Sequence, residues 1–274
     1  MNNKLIIQLI CPDQKGIIAK LTSILYNSKA NILSIEQHVD NKKFYIRVLA
    51  DIGSLDSKID SLNLKIEKLN DTLDGEINLF NPSKKINAAI LGSNEPEPIY
   101  QLLIKNNSNE LNCNFPLIIS NHNKLKYISK QFNTEYIKIN DDDDLLNALE
   151  KNNIELIILA RYMQIIPNNI INKYKNKIIN IHHSFLPAFK GSNPYKQAAK
   201  KGVKIIGATA HYATKDLDEG PIIYQDVLRV SHTDSEKQMK ELGKDIERIV
   251  LYKAVKAHLD YKIITYDNKT IVFK

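Results

Sequence analysis

The chain has 274 residues, 43% of them hydrophobic and 25% charged, which is ordinary for a soluble globular protein of one large domain or two modest ones. Its formal net charge of +7 comes almost wholly from Lys, with only four Arg. No dense basic run with interleaved aromatics accompanies that charge, which argues against a nucleic-acid partner and leaves a basic rim suited to a small anionic ligand.

In chain order, Lys4 to Cys11 alternates and reads as a strand. Its apolar part, Leu5 to Ile10, is too short for a signal core or a membrane span, and no other segment approaches spanning length. No membrane partner is expected, and the expected location is cytoplasmic. Cys11 and Cys113 are the only cysteines and do not make a disulfide framework. Pro12-Asp13-Gln14-Lys15-Gly16 is a turn feeding a helix over Ile17 to Asn27, whose Ile17, Ile18, Leu21, Ile24 and Leu25 form one apolar face. Ile32 to Val39 and Phe44 to Ala50 read as strands joined by Asp40-Asn41-Lys42. Ile59, Leu62, Ile66 and Leu69 mark a second helix, and Thr72 to Phe80 a fourth strand. The order βαββαβ is that of the ferredoxin-like unit.

Asn81-Pro82-Ser83-Lys84-Lys85 punctuates the chain and sets the expected boundary between domains 1–82 and 83–274. Beyond it strands and helices alternate. Ile86 to Leu91, Phe115 to Ser120, Glu135 to Ile139, Ile154 to Ala160 and Lys177 to Ile181 are strands, with helix-length segments between them. Such crossovers predict an α/β domain with a mainly parallel, Rossmann-like sheet covered on both faces. Asp141 to Asp144 suits a helix N-terminus, where carboxylates meet the positive end of the dipole. Asp234 to Leu259 is a long amphipathic helix capped by Asp234 or Ser235, with Met239, Leu242, Ile246, Ile249 and Val250 on its buried face. Lys262 to Tyr266 and Thr270 to Phe273 form a closing hairpin around Asp267-Asn268.

Chemistry concentrates between Ile178 and Asp226. Asn180 and His182 are two apart, so on a strand both side chains share a face. Lys204 to Tyr212 is a further strand that delivers His211 near its end, and Asp218 follows on a loop closed by Gly220-Pro221. Open α/β sheets bind ligands beyond the carboxyl ends of their strands. An amide donor, an imidazole and a carboxylate converging there can stabilise an oxyanion, move a proton and orient a water. His183 follows His182 on the opposite face, which suits a packing role.

Asn180-Ile181-His182-His183-Ser184-Phe185-Leu186-Pro187, then Gly207-Ala208-Thr209-Ala210-His211-Tyr212, then Leu217-Asp218-Glu219-Gly220-Pro221, resembles the formyltransferase fold of tetrahydrofolate enzymes. The fuller wording is similar to the formyltetrahydrofolate deformylase family over nearly the whole chain. The Asp13 to Ile18 turn resembles that of ACT domains, which bind amino acids or pair edge to edge. The resemblance implies hydrolysis of 10-formyltetrahydrofolate to formate and tetrahydrofolate, supplying formate for purine synthesis. It implies Asn180, His182 and Asp218 as catalytic residues, and Arg161, Tyr162, Met163, Gln164 and Ile165 as a pterin-binding loop assisted by His211 and Thr214. It also implies a homo-oligomer and a glycine or methionine effector held near Asp13, Gln14, Lys15 and Gly16. No His-Glu-x-x-His or Cys-rich ligand set exists, so neither metal nor cofactor is expected.

The alternatives are formyl transfer to glycinamide ribonucleotide and a non-catalytic folate or amino-acid sensor. In the related transferases a Gly-rich loop at Gly92-Ser93-Asn94 holds the acceptor's phosphate. Here Glu95 and Glu97 follow, with Pro96 and Pro98, and neither carboxylates nor NH-less prolines suit a phosphate. The complete Asn, His and Asp set argues against a pure sensor.

Overall fold

The alternation at the start of the chain becomes β1 (Lys4–Pro12), the centre of a small antiparallel sheet. The computed structural model describes residues 3–55, 59–189, 191 and 193–274. They group into two compact units, the first running to Lys84 and including Asp260–Ile264 and Ile271–Lys274, the second comprising Lys85–Leu259 and Thr265–Thr270.

In the first unit β1 is followed by α1 (Ile17–Asn27), β2 (Asn31–Asp40), β3 (Lys43–Asp51), α2 (Ile59–Leu73) and β4 (Glu76–Phe80), with sheet order β2-β3-β1-β4. Leu5, Ile7, Leu9 and Cys11 alternate onto one face of β1, where they meet Leu21 and Leu25 of α1 and Leu62 and Ile66 of α2. The last strand begins later than its pattern suggests. Leu73 continues the helical spacing of Leu62, Ile66 and Leu69, and all four are buried. Asp74, at φ 50°, and Gly75 then stop the helix. A Cβ at Gly75 would lie 2.8 Å from Ile10 O, so that turn passes too close to β1 for a larger residue.

The other face of this sheet carries Gln8 and Arg47, paired across β1 and β3. Gln8 Nε2 donates to Tyr261 O at 2.9 Å. Arg47 donates through Nε to Tyr261 O at 2.8 Å and through Nη2 to Asp260 O at 3.0 Å. The Phe80 and Tyr261 rings stack with centroids 4.3 Å apart. These contacts make a late segment of the chain part of the first unit.

The second unit alternates as expected through β5 (Ile86–Leu91), α3 (Glu97–Asn107), β6 (Cys113–Ser120), α4 (Lys126–Phe132), β7 (Glu135–Lys138), α5 (Asp142–Lys151), β8 (Leu156–Leu159), α6 (Asn168–Lys173) and β9 (Ile178–His182). Asp141 caps α5 by accepting from Asp144 N at 2.8 Å. Then come α7 (Pro194–Lys201), β10 (Ile205–Tyr212), β11 (Ile222–Arg229) and α8 (Glu236–Leu259). The sheet order is β11-β10-β9-β8-β5-β6-β7. Strands β5 to β9 are mutually parallel, whereas β10 runs antiparallel to both β9 and β11. Ser235 and Gln238 form a capping box at the start of α8. Along α8 Met239, Ile246 and Val250 are buried as expected, but Gly243 and Glu247 also face inward while Ile249 is exposed.

The chain closes with the hairpin β12 (Ile263–Tyr266) and β13 (Lys269–Val272). Asp267 and Asn268 turn it with φ 40° and 59°, the two positive values of a type I′ hairpin. Among the described residues no helix is long and apolar enough to cross a membrane. Both cysteines are free and buried, and burial pushes the Cys113 thiol up to about 12. Folded protein at pH 8 should therefore resist iodoacetamide at both thiols and react only on unfolding, as mass spectrometry of the alkylated chain will show.

Candidate active site

Asn180 and His182 lie at the carboxyl end of β9, and their side chains share a face because they are two apart. His211 on β10 is the cross-strand partner of Asn180. The β10–β11 connection then brings Asp218 back over both strands. Asp218 takes a left-handed backbone, φ 57°, and Gly220 makes the return possible. A Cβ at Gly220 would sit 1.7 Å from Tyr212 O, so only glycine fits against that strand.

The result is a carboxylate shared by two imidazoles. Asp218 Oδ1 lies 3.2 Å from His182 Nδ1 and 3.7 Å from His211 Nε2, and all three side chains are buried. Burial opposes ionisation of Asp218, but the contacts with His182 and His211 outweigh it and hold the carboxyl well below the usual range. His182 donates from Nδ1 to Asp218, and its Nε2 has no hydrogen-bond partner among the described residues. His211 Nδ1 faces Tyr212 O at 3.0 Å, so it carries a hydrogen. In the neutral ring Nε2 then accepts from Asn180 Nδ2 at 3.1 Å. That contact sets which way the Asn180 amide points and leaves its second N–H for a ligand.

Asn180, His211 and Asp218, but not the buried His182 behind them, border a cleft of about 690 Å³, counting its open mouth. Asn180, His211 and Asp218 lie on one side, and Leu159, Tyr162, Ile166 and Ile171 supply apolar wall. Gln164, Ile165, Asn168, Ala213, Thr214, Lys215 and Leu217 complete the lining. A largely apolar slot with a few convergent polar groups suits a flat heterocycle carrying a reactive substituent.

Of the residues expected from sequence to bind substrate, Tyr162, Gln164, Ile165, His211 and Thr214 line this cleft. Arg161 and Met163 do not. Arg161, at φ 60°, turns its guanidinium to Glu247, with Nη1 3.3 Å from Oε2. Met163 is exposed, and its backbone N–H is spent on Ser93 Oγ at 3.0 Å. The expected effector residues Asp13, Gln14, Lys15 and Gly16 form an exposed turn in the first unit, with Gly16 at φ 88° before α1.

Glu247 was not anticipated. It is buried on α8, where Tyr195 Oη donates to Oε1 at 2.6 Å. Gly243 permits this, because a Cβ there would lie 1.9 Å from Tyr195 Oη. Burial raises the Glu247 carboxyl, opposed by Arg161 and Tyr195. His183 packs between these groups and His182, with ring centroids 5.2 Å from His182 and 5.9 Å from Tyr195. Burial, with the Arg161 charge and His182 adding to it, pushes His183 down to about 3, which keeps it neutral. The only sequence signal was a charged residue standing where the apolar spacing of the helix calls for a buried one.

Behind the Gly92 turn, Lys244 Nζ lies 3.0 Å from Glu95, 3.4 Å from Glu97 and 3.7 Å from Glu241. One ammonium among three carboxylates leaves this loop unsuited to a phosphate.

Fold and site together define an enzyme of the formyltransferase fold that acts on a formyl group. The formyl transferase family model matches residues 86–255, and the ACT domain model matches residues 5–63. The formyltetrahydrofolate deformylase of Synechocystis is 41% identical, covering 96% of each chain. That of Bacillus subtilis is 39% identical, covering 96% of this chain and 91% of the relative. The crystal structure of a formyltetrahydrofolate deformylase from Pseudomonas syringae superposes with a TM-score of 0.96 at 34% identity, covering 99% of this chain and 94% of the other. The chain belongs to the formyltetrahydrofolate deformylase family.

Gly220→Ala should displace Asp218 and lower turnover about a hundredfold or more, as misplacement of a reacting group by about 1 Å does. Steady-state kinetics beside circular dichroism will separate that loss from unfolding.

Proposed function

We propose that this chain hydrolyses 10-formyltetrahydrofolate to formate and tetrahydrofolate with Asn180, His182 and Asp218. The observation that carries the assignment of roles is the Asp218 carboxylate poised between His182 and His211 beside a free Asn180 N–H. Water attacks the formyl carbon, and negative charge develops on the formyl oxygen. Asn180 donates its remaining N–H to that oxygen, a contact worth roughly 3 kcal/mol of barrier when preorganised. Asp218 fixes the His182 ring with Nδ1–H toward itself, which leaves Nε2 to carry a proton. The proton taken from water reaches the leaving nitrogen, and the C–N bond breaks. These steps draw on the chain's own groups, without metal or cofactor. The apolar wall around Tyr162, Ile165 and Ile166 packs on the pterin, and Gln164 and Thr214 meet its polar edge. Water is favoured as acceptor because the Glu95 and Glu97 loop offers no cradle to a phosphorylated amine.

Purified protein should release formate from 10-formyltetrahydrofolate in the cytoplasmic pH range, with no gain on adding glycinamide ribonucleotide or a divalent ion. Asp218→Asn should cut kcat about a hundredfold or more with the fold intact. Asn180→Ala should lower kcat by about a hundredfold while changing KM little, as expected for a contact made in the transition state. Wild-type kcat in Asp218→Asn, or a pure KM effect in Asn180→Ala, would remove that residue from its role.

The ACT-like unit serves assembly and regulation. Its edge strand β2 carries exposed Leu33, Ile35 and Val39, and pairing that edge with a second copy covers them. The backbone N–H groups at the start of α1, beside Asp13 to Gly16, suit the carboxylate of a small amino acid such as glycine or methionine. Light scattering should show an oligomer that Ile35→Lys with Val39→Lys converts to a smaller species. Calorimetry with glycine and with methionine checks the effector, and a monomeric parent protein or two flat titrations would end this part of the reading.

A further inference from the structure

The loop that carries Asp218 is held from outside by the tip of the closing hairpin. Asn268 Nδ2 donates to Glu219 O at 2.9 Å, one residue beyond Asp218. Thr270 Oγ1 donates to Ile222 O, where the loop enters β11. The hairpin tip is itself tied down, because Asn176 Nδ2 donates to Thr265 Oγ1 at 2.9 Å just before β9. On its inner side the loop is held by Tyr212 N donating to Pro221 O at 2.9 Å. The loop therefore has a fixed floor against β10 and a clasp of two side chains above it. Between the tip and the loop runs a groove of about 940 Å³, which shares Ile171, Ala213, Thr214 and Lys215 with the catalytic cleft.

We propose that Asn268 and Thr270 are positioning residues for Asp218. Neither reaches the reacting atoms. Their donors fix the carbonyls of Glu219 and Ile222, and those peptide units set where the left-handed Asp218 places its carboxylate. The Asp218 to His182 distance of 3.2 Å leaves little slack, since a hydrogen bond weakens steeply beyond about that range. Releasing the clasp lets the carboxylate withdraw from His182 and His211. The ring of His182 then loses its fixed tautomer, and the Asp218 carboxyl loses the contacts that keep it ionised in a buried place. The arrangement rests on the hydrolytic reading for its kinetic consequence but not for its structural one.

The test uses the full chain and three variants. Asn268→Gly keeps the positive φ of the turn and removes only the amide. Thr270→Val removes the hydroxyl at constant shape, and Thr270→Ser restores it. The expected result is a fall in kcat of about tenfold in Asn268→Gly and in Thr270→Val, with KM nearly unchanged and Thr270→Ser close to the parent. The acid limb of the kcat profile should move to higher pH, because a withdrawn Asp218 protonates more readily. Carbon NMR of the Asp218 carboxyl should show its titration moving up in Asn268→Gly, whether or not the chain turns over substrate. A parent protein that releases no formate would defeat the hydrolytic reading alone, with the NMR titration still deciding the clasp. An unmoved Asp218 titration in folded Asn268→Gly overturns the proposal, as does a Thr270→Ser variant as impaired as Thr270→Val.

Discussion

A buried carboxylate is tolerable only when its charge is met, and here the His182 Nδ1–H meets Asp218, with the His211 ring beside it on the neighbouring antiparallel strand. Everything around the site follows from keeping that meeting in register. The strands fix the histidines to within the precision of their ladder. The carboxylate comes from a loop, which has no ladder of its own. A glycine that lets the chain touch β10, a left-handed aspartate and a turn of hydrogen bonds replace it. The strain of a left-handed non-glycine residue, about 1 kcal/mol or more, is borne at the residue whose carboxylate is held against His182.

A second buried carboxylate lies behind the first. Glu247 is held by the Tyr195 hydroxyl and the Arg161 guanidinium, and Arg161 begins the loop whose next residues form the cleft wall. The ion pair thus sets a loop conformation rather than touching a ligand. His183 stands as a neutral ring between His182 and Tyr195, the partners of the two carboxylates. This explains why adjacent histidines of identical chemistry have different tasks: one faces an anion, and the other faces a cation and a ring.

Much of this was legible in the residues. Period-two spacing placed Asn180 and His182 on one face, and the βαββαβ order and the five parallel strands followed from apolar runs and turn residues. What escaped has physical causes. The direction of β10 depends on a long return containing α7, and a strand's own pattern carries no sign of its orientation. The helix α7 is marked only by Pro194 at its start and Gly202 at its end, a short signal inside a motif-rich stretch. Strand β11 is half covered, so its alternation is weak. Glu247 falls at a spacing that calls for a buried residue, but its charge hides the site, because nothing local reveals that Gly243 has opened a place for Tyr195 beside it. Arg161 reads as part of a pterin-binding loop until its internal partner is known.

The first unit has a further consequence for how the chain is made. Gln8 and Arg47 take their acceptors from Tyr261 and Asp260, 253 and 214 residues away for the Tyr261 contacts. As the chain leaves the ribosome, the βαββαβ segment emerges complete in its strands and helices, with one sheet face still holding an amide and a guanidinium that lack their backbone acceptors, Glu36 being the guanidinium's partner from within the segment. At about 5–20 residues per second, the missing segment follows on the order of ten seconds or more later. The first unit to be synthesised is therefore among the last to be finished, and its closure waits for the second unit to be made.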